Sequence, residues 1–269
     1  MILLIILASV FVGYILLLGF TATVANFLIF PAPRATYAKN DKLIYIDMPD
    51  GRKIAAVYRP AENAQYCIIY SHGNREDIGT ISKLMDEYNA KGYAVLAYDY
   101  IGYGHSQKDF PTPDKLLAAA DAVYAYAKEE LEFKDEKIVA IGYSLGSAAA
   151  AKMAQNHPNL RALILIGGFA SIPLAILPFN PLPWKILCNA DILKNKNCAP
   201  VLLLHGTKDI TVAPRNARIN FKSSKMPARL VWLEGYAHKG LFKSKSYWDE
   251  IERIIKQNDY EKSTCITVR

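Results

Sequence analysis

The five residues Gly142-Tyr143-Ser144-Leu145-Gly146 restrict the fold of this chain more than any other stretch. An apolar run, Lys137-Ile138-Val139-Ala140-Ile141, leads into them, and small residues and helix formers, Ser147 to Met153, follow. The order is strand, sharp turn, helix, the context in which G-x-S-x-G presents its serine at a nucleophile elbow. A serine whose Oγ stands free at a strand end needs strained dihedrals and no bulk beside it, hence Gly142 and Gly146. The helix that follows aims its N-terminal N–H groups and positive dipole end at a reacting carbonyl. Ala148 to Ala151 let that helix pack close on the sheet. The structural alternative is a glycine-rich turn holding a buried serine hydroxyl.

The rest of the chain supplies a sheet around this turn. Leu43-Ile44-Tyr45-Ile46 and Lys53 to Tyr58 flank the turn signal Pro49-Asp50-Gly51, predicting an antiparallel hairpin. Apolar strands are predicted at 66–70, 93–98, 137–141, 163–166, 201–205 and 230–233. Helices are predicted at 78–90, 113–131, after the elbow, and at 245–256. Strands alternating with helices imply a mostly parallel sheet covered on both faces. The segment 258–269 is polar and is expected to be a loose tail.

Ile2 to Phe30 contains no charged residue. As a helix it reaches about 44 Å, against about 30 Å of bilayer hydrocarbon. Pro31 and Pro33 end it. A cleavable signal peptide is the rival, weakened by the missing basic flank and the excess apolar length. We therefore expect a transmembrane anchor over 1–30, a tether over 31–42, a catalytic domain over 43–257 and a tail over 258–269. Arg34, Lys39 and Lys42 follow the span and none precedes it, which places the body on the cytoplasmic side.

The formal net charge is +7, with Lys and Arg spread along the chain and no arginine-rich run interleaved with aromatics. This suits mild attraction to anionic membrane lipids, or a general basic bias, rather than a nucleic-acid partner. Four cysteines, Cys67, Cys188, Cys198 and Cys265, form no C-x-x-C, so neither a zinc knuckle nor a thioredoxin-type site is indicated. Cys188 and Cys198 lie in one loop region, and the sequence leaves their pairing open.

A serine nucleophile needs a base, and the base an orienting acid. In a strand–elbow–helix arrangement the chain order is Ser, Asp or Glu, His. Of the five histidines, His72, His105, His157 and His205 fall in the wrong order or place, and His238, after the last core strand, fits. Asp209, in the loop after the preceding strand, is the expected acid; Asp191 lies before that strand and Asp99 before the nucleophile. The oxyanion donors are expected to be the backbone N–H groups of Leu145 and Asn74, with Gly73 allowing the close turn.

These motifs, Ser71-His72-Gly73-Asn74, Asp99-Tyr100-Ile101-Gly102-Tyr103-Gly104, the elbow, His205-Gly206-Thr207-Lys208-Asp209 and Gly235-Tyr236-Ala237-His238, occur in one order from about Leu43 to Lys256. In this the chain resembles the α/β-hydrolase-fold serine hydrolases, and is most similar to the membrane-associated α/β-hydrolase-domain proteins that include protein depalmitoylases. The resemblance implies the α/β-hydrolase fold and ester or thioester hydrolysis. The substrates it implies are small-molecule or lipid-like acyl compounds, acylated proteins included. No cofactor and no metal are implied. The depalmitoylases carry a cysteine-rich, acylated N-terminus, whereas the apolar span here has no cysteine.

The insertion 171–200 is expected to form a small apolar cap, with Ile172, Leu174, Ile176, Leu177, Phe179, Leu182 and Trp184 among its residues. Pro173, Pro178, Pro181 and Pro183 argue against one long helix there. Such a cap suits an acyl chain; covering core at the sheet edge is the alternative. Two rival functions stand beside the esterase reading. One is a peptidase of the aminopeptidase type with the same triad. The other is a non-catalytic hydrolase-fold binding protein, disfavoured by the complete triad. Dehalogenases and epoxide hydrolases of this kind need a carboxylate where Ser144 stands.

Overall fold

The computed structural model describes residues 1–269 except 40–41, 178, 180–184, 258–262 and 269. The chain opens with helix α1 (Ile2–Ile29). Its segment Ile2–Phe20, mean hydropathy 2.8, is long and apolar enough to cross a membrane, and none of it is buried. Ile29 and Phe30, by contrast, are buried in the core of the body.

Strands β1 (Leu43–Asp47) and β2 (Lys53–Arg59) form the leading antiparallel hairpin. After them come β3 (Cys67–Ser71), α2 (Ser82–Ala90), β4 (Ala94–Tyr98), α3 (Pro113–Glu129) and β5 (Ile138–Tyr143). The elbow helix α4 (Gly146–Asn156) leads to β6 (Ala162–Ile166), then the short helices α5 (Ile172–Ile176) and α6 (Asn189–Ile192). The chain continues through β7 (Val201–Gly206), α7 (Arg215–Ser223), β8 (Ala228–Leu233), α8 (Lys245–Lys256) and β9 (Thr264–Val268).

The sheet runs β1-β2-β4-β3-β5-β6-β7-β8-β9. The β1–β2 and β2–β4 pairs are antiparallel and the rest parallel, so the triad-bearing strands all end at one edge. The central strands β3, β4, β5, β6 and β7 are buried on both faces, which is why they read as continuous apolar runs rather than alternating ones. One face packs on α3 and α4, through Leu116, Val123, Ala149 and Met153. The other packs on α2 and α8, through Met85, Tyr88, Ile251 and Ile254. The alanines of α4 are almost wholly buried, and their small size brings the elbow helix close to the sheet.

The structure corrects three expectations. The segment 258–269 is not simply a loose tail: Thr264–Val268 adds a parallel strand beside β8, with Val231 opposite Ile266. Its β-branched residues fit a strand even though the surrounding sequence is polar. Helix α2 begins at Ser82 rather than Ile78, because Asp77 and Thr80 close a side-chain turn first, with Thr80 N–H donating to Asp77 Oδ1 at 2.8 Å. Helix α7, which no apolar stripe announced, lies between β7 and β8. Of the expected cap, Pro178, Pro181, Leu182, Pro183 and Trp184 lie outside the described residues. Within it, Phe179 is exposed, and α5 is tied down by Arg215 donating to Leu177 O at 2.8 Å. All four cysteines, including Cys188 and Cys198, are free thiols.

Candidate active site

Ser144 sits between β5 and α4 with φ +51°, a left-handed backbone that a non-glycine residue holds only when its surroundings enforce it. Here they do. Ser144 N–H donates to Ile166 O at 2.9 Å, and Ser147 N–H returns to Ser144 O at 3.1 Å. The flanking glycines are a steric requirement: a Cβ on Gly142 would lie 2.3 Å from Gly146 O, and one on Gly146 would lie 2.0 Å from Ser71 O. The turn is pressed between its own helix and the end of β3.

The fold brings Ser144, His238 and Asp209 into one hydrogen-bonded line. His238 Nε2 lies 3.0 Å from Ser144 Oγ, and His238 Nδ1–H donates to Asp209 Oδ2 at 2.7 Å. Asp209 stands in the loop after β7 and His238 in the loop after β8, neighbouring parallel strands whose ends lie side by side. The Asp209 carboxylate is fully buried. Its Oδ1 accepts the N–H groups of Thr211 and Val212 at 2.9 and 2.8 Å, so the carboxylate is fixed before the imidazole meets it. The imidazole ring is nearly buried and lies 5.1 Å, centroid to centroid, from the Tyr143 ring; Tyr143 OH donates to His238 O at 3.2 Å. An imidazole so held presents Nε2 as acceptor to the serine hydroxyl, the arrangement that removes its proton as Oγ attacks.

Among the described residues, the backbone N–H groups of Asn74 and Leu145, the two donors expected for an oxyanion, have no acceptor within the chain. The loop carrying Asn74 is secured from several sides. Gly73 N–H donates to Glu76 Oε2 at 2.7 Å, Tyr100 OH to His72 O at 2.5 Å, and Tyr103 OH approaches Asn74 Oδ1 at 3.4 Å.

None of the other histidines or acids joins this line, although His205 lies against Asp209. His72, fully buried, donates Nδ1–H to Gly73 O at 2.8 Å and turns Nε2 toward Asp99 Oδ1 at 3.3 Å. Burial pulls its pKa down, but the nearby Asp99 carboxylate more than reverses this, so it lies above the ordinary value. His205 donates Nε2–H to Val212 O at 2.9 Å, with Asp209 Oδ2 at 3.3 Å; burial leaves its pKa below the ordinary value despite that carboxylate. His105 bonds Tyr37 O, and His157 stacks on Tyr124. Asp191 pairs with Lys185 and Lys194, away from the triad.

Three contributors escaped the reading of the sequence. Glu76 was visible only as a carboxylate three residues beyond Gly73. Asp77 had a signal in its Asp-x-x-Thr spacing to Thr80. Tyr37, whose hydroxyl donates to Asp99 Oδ2, carries none, because it lies in a segment that reads as a tether. No cluster of metal-ligating side chains occurs among the described residues.

Comparison with known proteins agrees with this architecture. Residues 62–191 match the family described as "Serine aminopeptidase, S33". Alpha/beta hydrolase domain-containing protein 17B of Homo sapiens is 26% identical over 210 residues, covering 77% of this chain and 72% of that protein. Alpha/beta hydrolase domain-containing protein aho-3 of Caenorhabditis elegans is 25% identical over 211 residues, covering 76% and 61%. Among solved structures, an esterase of Pyrococcus furiosus superposes with TM-score 0.71 at 17% identity, covering 84% of this chain and 98% of that one. The esterase Est1E of Butyrivibrio proteoclasticus, solved with ferulic acid bound, gives TM-score 0.63 at 25% identity, covering 81% and 98%. The chain has the α/β-hydrolase fold and is similar to serine hydrolases built on it.

Proposed function

We propose that the chain is a membrane-anchored hydrolase that cleaves a carboxylic ester or thioester of an apolar acyl group through an acyl-enzyme. The observation that carries this is the continuous line from Asp209 through His238 to a Ser144 held at positive φ. Ser144 Oγ attacks the acyl carbon while His238 Nε2 takes its proton. The oxyanion that forms is met by the N–H groups of Asn74 and Leu145. His238 then gives the proton to the departing oxygen or sulfur, and the acyl group stays on Ser144. Water, deprotonated by His238, attacks the acyl-enzyme and releases the acid. Asp209 holds the imidazole tautomer and stabilises its cation.

Residues 1–30 are the anchor, 31–42 the tether and 43–257 the catalytic domain, with the cap in 171–200. The absence of charge in Ile2–Phe20 and the hydropathy of that helix support the anchor. Arg34, Lys39 and Lys42 after the span favour a cytoplasmic body. Substrates reached from the membrane, lipid-like esters or acylated proteins, suit this placement. A peptidase with the same triad is the second reading, favoured by the family match over residues 62–191.

Labelling of the full chain with a fluorophosphonate probe tests the proposal. Wild type is expected to label, and Ser144→Ala and His238→Ala are not. A labelled Ser144→Ala protein would remove this serine from the mechanism. Faster turnover of aminoacyl amides than of matched esters would favour the peptidase.

A further inference from the structure

A cavity of about 460 Å³ lies beside the triad. Its lining includes residues next to three parts of the site: Tyr143 before Ser144, Lys239 after His238, and Arg75 after Asn74. Its floor is apolar, built by Leu84 of α2, Ile166 of β6, and Leu241 and Phe242 just before α8. Its rim is cationic. Arg75, Lys239 and Lys243 are all exposed, and among the described residues none of them is paired with a carboxylate. The carboxylate that also lines the cavity, Glu76, is turned to the Gly73 N–H at 2.7 Å.

Chemistry decides which part of a substrate this cavity receives. In the acylation step His238 must hand a proton to the departing atom, so the leaving group lies on the side of the His238 loop. The carbonyl oxygen is turned toward the Asn74 and Leu145 N–H groups instead. The His238 loop runs on directly into Lys239, Leu241 and Phe242, which wall the cavity.

We infer that this cavity binds the leaving group, and that the preferred substrates are esters or thioesters whose departing alcohol or thiol carries a phosphate or another anion. The inference rests on the hydrolase reading above. Three cations converging on one mouth attract such a group, and the apolar floor accepts the carbon skeleton that joins it to the scissile bond. A phosphate of this kind is carried by a glycerophosphate ester and by an acyl-coenzyme A thioester alike.

The test uses the full chain in a neutral detergent. Two chromogenic esters with the same butanoyl group are compared, one releasing 4-hydroxybenzenesulfonate and the other its uncharged sulfonamide. Wild type is expected to favour the anionic ester, more so at low salt than at high. Combining Arg75→Gln, Lys239→Gln and Lys243→Gln should lower the ratio of kcat/KM, anionic over neutral, about tenfold, equivalent to about 1.4 kcal/mol. An unchanged ratio in a variant that still labels with fluorophosphonate overturns the inference and leaves the hydrolase reading standing. Loss of labelling in the folded wild type overturns both. Butanoyl-coenzyme A and butanoyl glycerol phosphate form the second arm, and the one whose turnover the three substitutions lower identifies the source of the phosphate.

Discussion

The Tyr37 hydroxyl donates to the Asp99 carboxylate, joining the segment that follows α1 to the end of β4. Asp99 also accepts the Ile78 N–H at 2.9 Å and faces His72 at 3.3 Å, and His72 belongs to the loop that carries Asn74. One residue earlier, Thr36 donates to Asp77 from its N–H and its hydroxyl, at 2.6 and 2.5 Å. What reads as a tether is therefore fastened to the base of the loop that carries Asn74. Burial and then the charge of Asp99 push the Tyr37 pKa up, so the hydroxyl stays a donor. Tyr37→Phe keeps the ring edge against His105 and removes the hydrogen bond to charged Asp99 together with the long one accepted from His105 N–H, at a cost of about 2 kcal/mol. Chemical denaturation of the two proteins measures this, and a difference below about 0.5 kcal/mol would mean that the contact is not maintained.

The His72–Asp99 pair predicts a dependence on pH with a definite sign. His72 spends its Nδ1–H on Gly73 O, so only the protonated ring can also donate to Asp99. Its folded pKa lies above the ordinary 6.5. The stability this adds is complete below about pH 6.5 and is lost as pH rises through the folded value. The Tm of wild type, minus that of His72→Asn, should therefore shrink as pH is raised above neutrality. A difference that grows with pH would contradict the pairing.

Asp209→Asn tests the orienting role by itself. The amide keeps the shape but favours the wrong imidazole tautomer, which lowers kcat by about 10⁴ in triads of this kind. Its two N–H contacts from Thr211 and Val212 favour retention of the loop. Ester turnover under saturating substrate measures the effect, with KM expected to change little. A kcat within tenfold of wild type would show that His238 is oriented by something else.

How much of this was readable beforehand depends on the range of the forces involved. The elbow was legible because its sterics are local: strand, glycine, serine, glycine and helix follow one another. The central strands were legible because burial on both faces leaves no Lys, Arg, Asp or Glu in them, as in Cys67–Ser71. Asp209 and His238 could be chosen from chain order alone, since parallel strands deliver their loops to one edge in sequence. Tyr37 could not, because nothing in a short polar segment says which buried carboxylate it will reach. Strand β9 was missed for a related reason: five mostly exposed residues gain their order from pairing with β8, not from a pattern of their own.

The close approach at Gly146 gives the last prediction. A Cβ there would lie 2.0 Å from Ser71 O and 2.7 Å from His72 O, both backbone atoms at the end of β3. Neither can swing aside as a side chain would, so the added methyl must push β3 and the Asn74 loop away from α4. Overpacking of this kind costs about 3 kcal/mol. It should also slow fluorophosphonate labelling per folded molecule, because the Asn74 and Leu145 N–H groups, proposed above to meet the oxyanion, move relative to Ser144. Gly51 is the contrasting case: its φ is +81°, yet nothing lies within 4 Å of its Cβ position, and it sits in the remote β1–β2 turn. Gly51→Ala should cost about 1 kcal/mol through backbone strain alone and leave the labelling rate unchanged. If both variants lose stability equally and label at the wild-type rate, the contact between the elbow and β3 does not hold the site in place.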